Sequence, residues 1–174
     1  LALSTQQIRA ISTQGIAALS GAQISKLRND QIAVLTAGND AQLGSTNPQG
    51  PDQVGALSST QMQSLRMDQV AALTSQQMRS LSSTQLNALS LKQMKSVDLQ
   101  DIAALTTGQI SALNVADIAE LTSAQVGVLG TQQVAALSSA QVSALSVGQL
   151  LALSTQQIRA ISTQGIAALS GAQI

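Results

Sequence analysis

An eight-residue period runs through almost the whole chain and limits what it can fold into. Aligned on Leu, the sequence reads LSTQQIRA from Leu3, ISTQGIAA from Ile11, LSGAQISK from Leu19 and LRNDQIAV from Leu27. After an irregular stretch it resumes with LSSTQMQS from Leu57 and keeps phase to the LSGAQI that closes at Ile174. The consensus is Leu, Ser or Thr, any, any, Gln, Ile/Val/Met, any, Ala. Leaving aside the degenerate unit at Leu35, the fifth position is Gln in 16 of 20 units, with Gly15, Asp101, Asp117 and Gly165 as exceptions. Self-similarity at a fixed spacing marks one supersecondary unit used over and over.

A short helix per octad accounts for each fixed position. The second residue (Ser4, Ser12, Thr74, Asp98, Thr106, Asn114, Thr122) comes from the set whose side-chain oxygen accepts an orphan N–H of the first helical turn. Gln three residues on can reach back to the cap residue's own N–H, which completes a capping box, while the Leu before the cap and the Ile after the Gln take the two places of a hydrophobic staple. The next unit's Leu follows that Ile by three positions, so both fall on one helical face. A strand reading fails, because alternation with a period of two and enrichment in Val and aromatics are both missing.

Each such helix holds about six residues, well short of the roughly 12 at which isolated helices become even marginal in water. One Leu and one Ile per octad cannot offset the entropy of ordering eight backbones. The units must therefore stack, and the sequence predicts an all-α, open solenoid of short capped helices whose stability lies in repeat-to-repeat interfaces. Gln in place of Glu at position five fits a stack, since piled carboxylates would repel and amides can bond to one another along it. Two counts of helices per superhelical turn compete. Met62, Met78 and Met94, each followed two residues later by Ser, suggest a turn of two octads and two helices; Met67, Leu91 and Val115 at the variable third position suggest a turn of three octads and three helices. Three is favoured, because residues 151–174 repeat residues 1–24 without change, a block of three octads.

The chain reads as a single repeat-array domain over 1–174, with octads over 3–35 and 49–174 and an irregular loop over 36–52. That loop, TAGNDAQLGSTNPQGPD, holds Gly38, Gly44, Gly50, Pro48 and Pro51, which is turn chemistry. The spacing from Leu35 to Leu57 falls two positions short of three octads. The octad phase at Leu1 continues from that at Ile174, so one copy would run into another in register. Two expectations follow: the chain is a slice of a longer array with a super-repeat of about 150 residues, or else a designed or trimmed chain, and copies can associate head to tail.

Composition narrows the function. There is no Phe, Tyr, Trp, Cys or His, and eight Lys+Arg balance eight Asp+Glu. Without His or Cys the commonest general base, metal ligand and thiolate nucleophile are gone. Without net positive charge or stacking rings, nucleic-acid binding is disfavoured. Polar residues interrupt every apolar run long before the ~18 positions a membrane helix requires. The missing rings also suit the architecture, since a large ring would wedge apart slots sized for Leu, Ile and Ala. We therefore expect a non-enzyme with no catalytic, cofactor-binding or metal-ligating residue and no cofactor.

Few candidate sites remain. In the 36–52 loop, Asn39, Asp40, Asn47 and Asp52 form a candidate binding loop, set against a tolerated insertion, but their spacing matches no calcium loop. Asp98 with Asp101, and Asp117 with Glu120, are acidic pairs at helical spacing; Asp98, Asp101 and Asp117 occupy cap and box positions, where a carboxylate favours a helix N-terminus. Arg28 and Arg66 replace the cap residue and are each followed by Asp two positions on, at Asp30 and Asp68, which reads as a local ion pair or a substitute Asp cap. Met62, Met78 and Met94 take the Ile position and read as core. A hydroxyl-rich face for ice or glycan would be broken by Gly21, Asn29, Met67, Leu91 and Val147.

The units LSTQQIRA, LTSQQMRS and LSSAQVSA resemble the short Leu-Ser/Thr-x-x-Gln-Ile/Val-x-Ala repeats of very large bacterial secreted proteins often labelled as haem-utilisation or adhesion-like exoproteins. The resemblance covers nearly the whole chain outside 36–52. It implies an extracellular or bacterial cell-surface location and a stalk or adhesive role, and supplies no functional residue; the haem label finds no His, Cys or Tyr to serve as ligand. The expected partners are neighbouring repeats of the same parent protein, with no nucleic acid and no membrane insertion. A binding module for a glycan, host surface or ice is the alternative to a spacer.

Overall fold

The computed structural model describes residues 3–12, 15–16, 18–34 and 53–174. Among the described residues there are 17 α-helices of four to six residues and no strand, which bears out the all-helical solenoid reading. The chain divides into two compact units, Leu1–Ser96 and Val97–Ile174.

Local chemistry sets each helix. In the unit that opens with Leu137, Ser138 is extended (φ −70°, ψ 161°) and its Oγ accepts the Gln141 N–H at 3.2 Å, while Gln141 Oε1 accepts the Ser138 N–H at 2.8 Å. The helix Ser139–Ser143 then closes with the Leu145 N–H on the Val142 carbonyl at 3.1 Å, and Leu145 begins the next unit. Leu137 and Val142, the staple pair, are both buried. Where Gly130, Arg28 or Arg66 stands at the cap, the side-chain half of the box is lost, but Gln still accepts the cap N–H, as at Arg28 (2.7 Å) and Gly130 (2.6 Å).

Packing within each unit resolves the number of helices per turn. In Val97–Ile174, helix Ser123–Gly127 packs on Val147–Leu151, Thr131–Ala135 on Thr155–Ala160, and Ser139–Ser143 on Thr163–Ala167. In Leu1–Ser96, Thr5–Ala10 packs on Asn29–Ala33, and Met67–Ala71 on Leu91–Lys95. These partners lie three octads apart, so three helices make one coil. Met62, Met78 and Met94 are wholly buried, and their two-octad spacing reflects core composition and not the coil. The core of each unit is two columns, the position-six Ile/Val/Met and the position-one Leu, lying against the coils before and after.

The irregular stretch takes on a different meaning. In the regular coils of Val97–Ile174, the position-five Gln reaches carbonyls 28 and 31 residues earlier, as Gln149 does at Leu121 and Ile118. Across the irregular stretch, Gln61 reaches Leu27 and Ile24, 34 and 37 residues earlier. The excess is six residues. The coils on the two sides of residues 35–52 are therefore spaced six residues further apart in sequence than the coils of Val97–Ile174.

Gly165 shows why one departure from the consensus is tolerated. A Cβ added there would lie 2.8 Å from Ile161 Cγ2 and 3.1 Å from Val142 Cγ2. The β-branched Ile at position one fills the room that the Gln stem uses elsewhere. Gly15 repeats the arrangement against Ile11 Cγ2 at 2.7 Å. Ile at position one and Gly at position five are thus a matched pair.

Candidate functional site

The most elaborate polar arrangement in the protein is the row of position-five glutamines. Gln141 is buried, and while its Oε1 holds the Ser138 N–H, its Nε2 donates to the carbonyls of Leu113 (2.8 Å) and Ile110 (3.0 Å) in the preceding coil. Gln93 does the same at Leu65 (2.6 Å) and Met62 (3.0 Å), Gln133 at Leu105 (2.7 Å), and Gln149 at Leu121 (2.7 Å). One amide therefore caps its own helix and satisfies the C-terminal carbonyls of the helix beneath, groups that burial would otherwise leave unpaired. The sequence suggested that amides bond to one another along the stack; at Gln93, Gln133, Gln141 and Gln149 each amide bonds to backbone instead. Glu would place a second acceptor where a donor is needed, which accounts for its absence.

The aspartates at this position behave differently. The Asp98 and Asn114 side chains make no cap bond, and the Asp101 and Asp117 N–H groups turn instead to the Asp98 and Asn114 carbonyls at 3.1 and 3.0 Å. The expectation that Asp98 caps with its carboxylate is corrected, because the Asp101 N–H it would accept is taken by the Asp98 carbonyl. Asp117 is buried, accepts hydrogen bonds from Asn114, and leaves Oδ2 without a partner. Burial pushes its carboxyl above the ordinary range, with the Asn114 bonds opposing.

Arg28 and Arg66 form ion pairs with Asp30 and Asp68, and both carboxylates also accept from first-turn backbone N–H groups, at Asp30 and Gln31 and at Asp68 and Gln69. Arg28 Nε and Nη2 donate to Asp30 Oδ1 and Oδ2, each at 3.0 Å, and Arg66 grips Asp68 in the same fork at 3.0 and 2.8 Å. Both carboxylates are held below the usual range by the guanidinium hydrogen bond first, with desolvation opposing and the guanidinium charge and the backbone N–H bonds adding to it. These pairs lie at the surface and contribute little stability there.

An open groove of about 590 Å³ runs between Met67–Ala71 and Leu91–Lys95, bordered by Arg66, Met67, Asp68 and Lys92. Met67 stands half exposed on its rim. The groove joins an exposed thioether to an already paired guanidinium and one lysine. Among the described residues no cluster of three or more acidic side chains could hold a metal ion, and no helix is long and apolar enough to cross a membrane. The loop residues Asn39, Asp40, Asn47 and Asp52 lie outside the described residues.

What sequence reasoning missed is the second bond of the glutamine. Its signal was present in the strict preference for Gln over Glu, since a capping box accepts either residue, and the excess specificity had to come from the donor end.

Fold and polar rows together define a class: a helical repeat module whose buried polar groups serve stacking. Its octads match the model of the ALTTAQ repeat over residues 1–29, 97–131, 112–147 and 126–155, together a little over half of the chain. The chain belongs to the ALTTAQ repeat family. Comparison with curated proteins finds no match.

Proposed function

We propose that the chain is a non-catalytic structural module, a stalk or spacer segment of a large bacterial surface or secreted adhesin-like protein. The observation that carries this reading is the use made of the buried amides: Gln93, Gln133, Gln141 and Gln149 spend both ends of the side chain on capping and on the preceding coil. A module whose repeated polar groups are consumed by stacking transmits length and stiffness. Its neighbours in such a protein are further repeats of the same kind.

One observation favours a binding module instead. Met67 and Leu91, three octads apart, are exposed on the third position of neighbouring coils of Leu1–Ser96, beside the groove at Arg66 and Lys92. A glycan array and an ice-recrystallisation assay at high protein concentration separate the two readings. The spacer reading expects both to be blank; saturable binding that is lost on deleting 36–52, or on Met67→Ser with Leu91→Ser, would replace it with the binding module.

A further inference from the structure

Because Cys, His, Tyr and Trp are missing from the chain, the sulfur atoms of its four methionines are its readily oxidised groups. The fold sorts these four identical thioethers into two kinds. Met62, Met78 and Met94 hold position six of their octads and are 0% exposed. Met67 holds position three, at the start of the helix Met67–Ala71, and is 54% exposed.

The bonds that seat this helix bypass the Met67 side chain. The Arg66 N–H donates to Gln69 Oε1 at 2.8 Å, and the Val70 N–H to the Arg66 carbonyl at 3.0 Å. Gln69 Nε2 donates to the Ile32 carbonyl of the preceding coil at 3.0 Å, and Val70 supplies the buried apolar contact. Arg66 and Asp68, on either side of Met67, hold each other through their side chains. An oxygen added to the Met67 sulfur therefore stays in water, on the rim of a groove that Lys92 also lines. The same oxygen on Met62, Met78 or Met94 would sit in the apolar core, where a polar group without a partner is costly. Those three react only after the coils around them open.

We propose that Met67 is a reversible modification site, the position at which a peroxide oxidises the folded chain, and that the resulting sulfoxide turns the groove rim from apolar to hydrogen-bond-accepting while the stack stays intact. In the forward step a sulfur lone pair attacks one peroxide oxygen; the S–O bond forms as the O–O bond breaks. Sulfur loses two electrons and the peroxide gains them. The second oxygen leaves as water, taking through solvent the proton that the transferred oxygen gives up. A thiol-dependent sulfoxide reductase supplies the reverse step, returning the oxygen as water while two thiols become a disulfide on the reductase. The proposal is independent of the spacer reading, since it concerns one surface side chain and not the work of the stack.

Hydrogen peroxide acting on the full chain at neutral pH, followed by tryptic digestion and mass spectrometry, tests this. Met67 and Met78 fall in one tryptic peptide, residues 67–79, so its fragment ions give the rate of an exposed and a buried thioether together. We expect Met67 in the folded chain to take up oxygen within about threefold of its rate in the urea-unfolded chain, and Met62, Met78 and Met94 to react at least ~100-fold more slowly when folded, because they wait for local opening. The chain oxidised once should leave a hydrophobic-interaction column earlier than the unmodified chain and keep its Tm within about 2 °C. Methionine sulfoxide reductase should restore both mass and retention. Met67→Leu should abolish the fast uptake and the shift in retention, whereas Met78→Leu should leave both in place. A Met67 no faster than the buried three, a buried methionine that matches its rate in the folded chain, or a Tm that falls clearly after the first oxidation would each overturn the proposal.

Discussion

Gln141→Glu isolates what the buried amide contributes, because the two side chains have nearly the same shape. The Oε1 bond to the Ser138 N–H at 2.8 Å can persist, but the atom now 2.8 Å from the Leu113 carbonyl and 3.0 Å from that of Ile110 becomes an acceptor. Two hydrogen bonds of about 0.5–1.5 kcal/mol net each are lost. A carboxylate in this buried position also faces oxygens, and an uncompensated buried charge costs about 3–5 kcal/mol. We expect Gln141→Glu to destabilise the protein by about 3–5 kcal/mol at pH 7, a fall of roughly 10 °C in Tm for a chain of this size. Burial raises the folded carboxyl above its unfolded value of about 4.3. The folded state then binds the extra proton between the two values, so stability is lost as pH rises through that window and is regained on acidification. Once protonated, the introduced carboxyl can donate one bond to the Leu113 carbonyl, and the deficit should shrink to about 1–2 kcal/mol. Thermal and urea denaturation followed by circular dichroism at pH 7 and at about pH 4.5 measures both values, with Gln7→Glu, exposed and without an Nε2 partner among the described residues, as the control. If Gln141→Glu is as mild as Gln7→Glu, or if its deficit does not shrink with acid, the clamp is not what holds the coils together.

Three further outcomes can be checked in the same assay. Asp117 has a raised carboxyl, so its contribution should make the protein less stable as pH rises above the ordinary carboxylate range; Asp117→Asn should remove that slope and stabilise the neutral protein by about 1 kcal/mol, and an unchanged slope would mean that Oδ2 is solvated. Gly165→Gln alone should destabilise by about 1–3 kcal/mol through its clash with Ile161 Cγ2; adding Ile161→Leu should reverse the loss, since the introduced amide then reaches the Leu137 and Val134 carbonyls, and a purely additive double variant would refute the pairing. Ser138→Ala should cost about 1 kcal/mol by removing the Oγ acceptor of the Gln141 N–H while leaving the Gln141 clamp in place, visible as a lower urea midpoint with an unchanged m-value.

Sequence alone determined the capping and staple contacts of the consensus octad. Ser138 capping Gln141, Gln141 reaching back to Ser138, and Leu137 with Val142 as buried staple all follow from side chains three to five positions apart, which helical geometry must bring together. The core was legible for the same reason, Leu and Ile/Val being one turn apart on one face. The candidate site was legible only in its residue type: the insistence on Gln was visible, and its second partner was not. An octad repeat is satisfied by any whole number of octads per coil, so nothing in the period could choose between two and three. Only the packing of helices such as Thr131–Ala135 on Thr155–Ala160 decided it. Tertiary structure likewise decided that Gln141 Nε2 meets the Leu113 carbonyl 28 residues earlier, that Gln61 reaches the Leu27 carbonyl 34 residues earlier, and that Gly165 faces Val142 of the preceding coil. Each of these depends on which residues face one another across coils. That distance is set by how many short helices are needed to enclose a shared apolar core, and it leaves no mark within the octad itself.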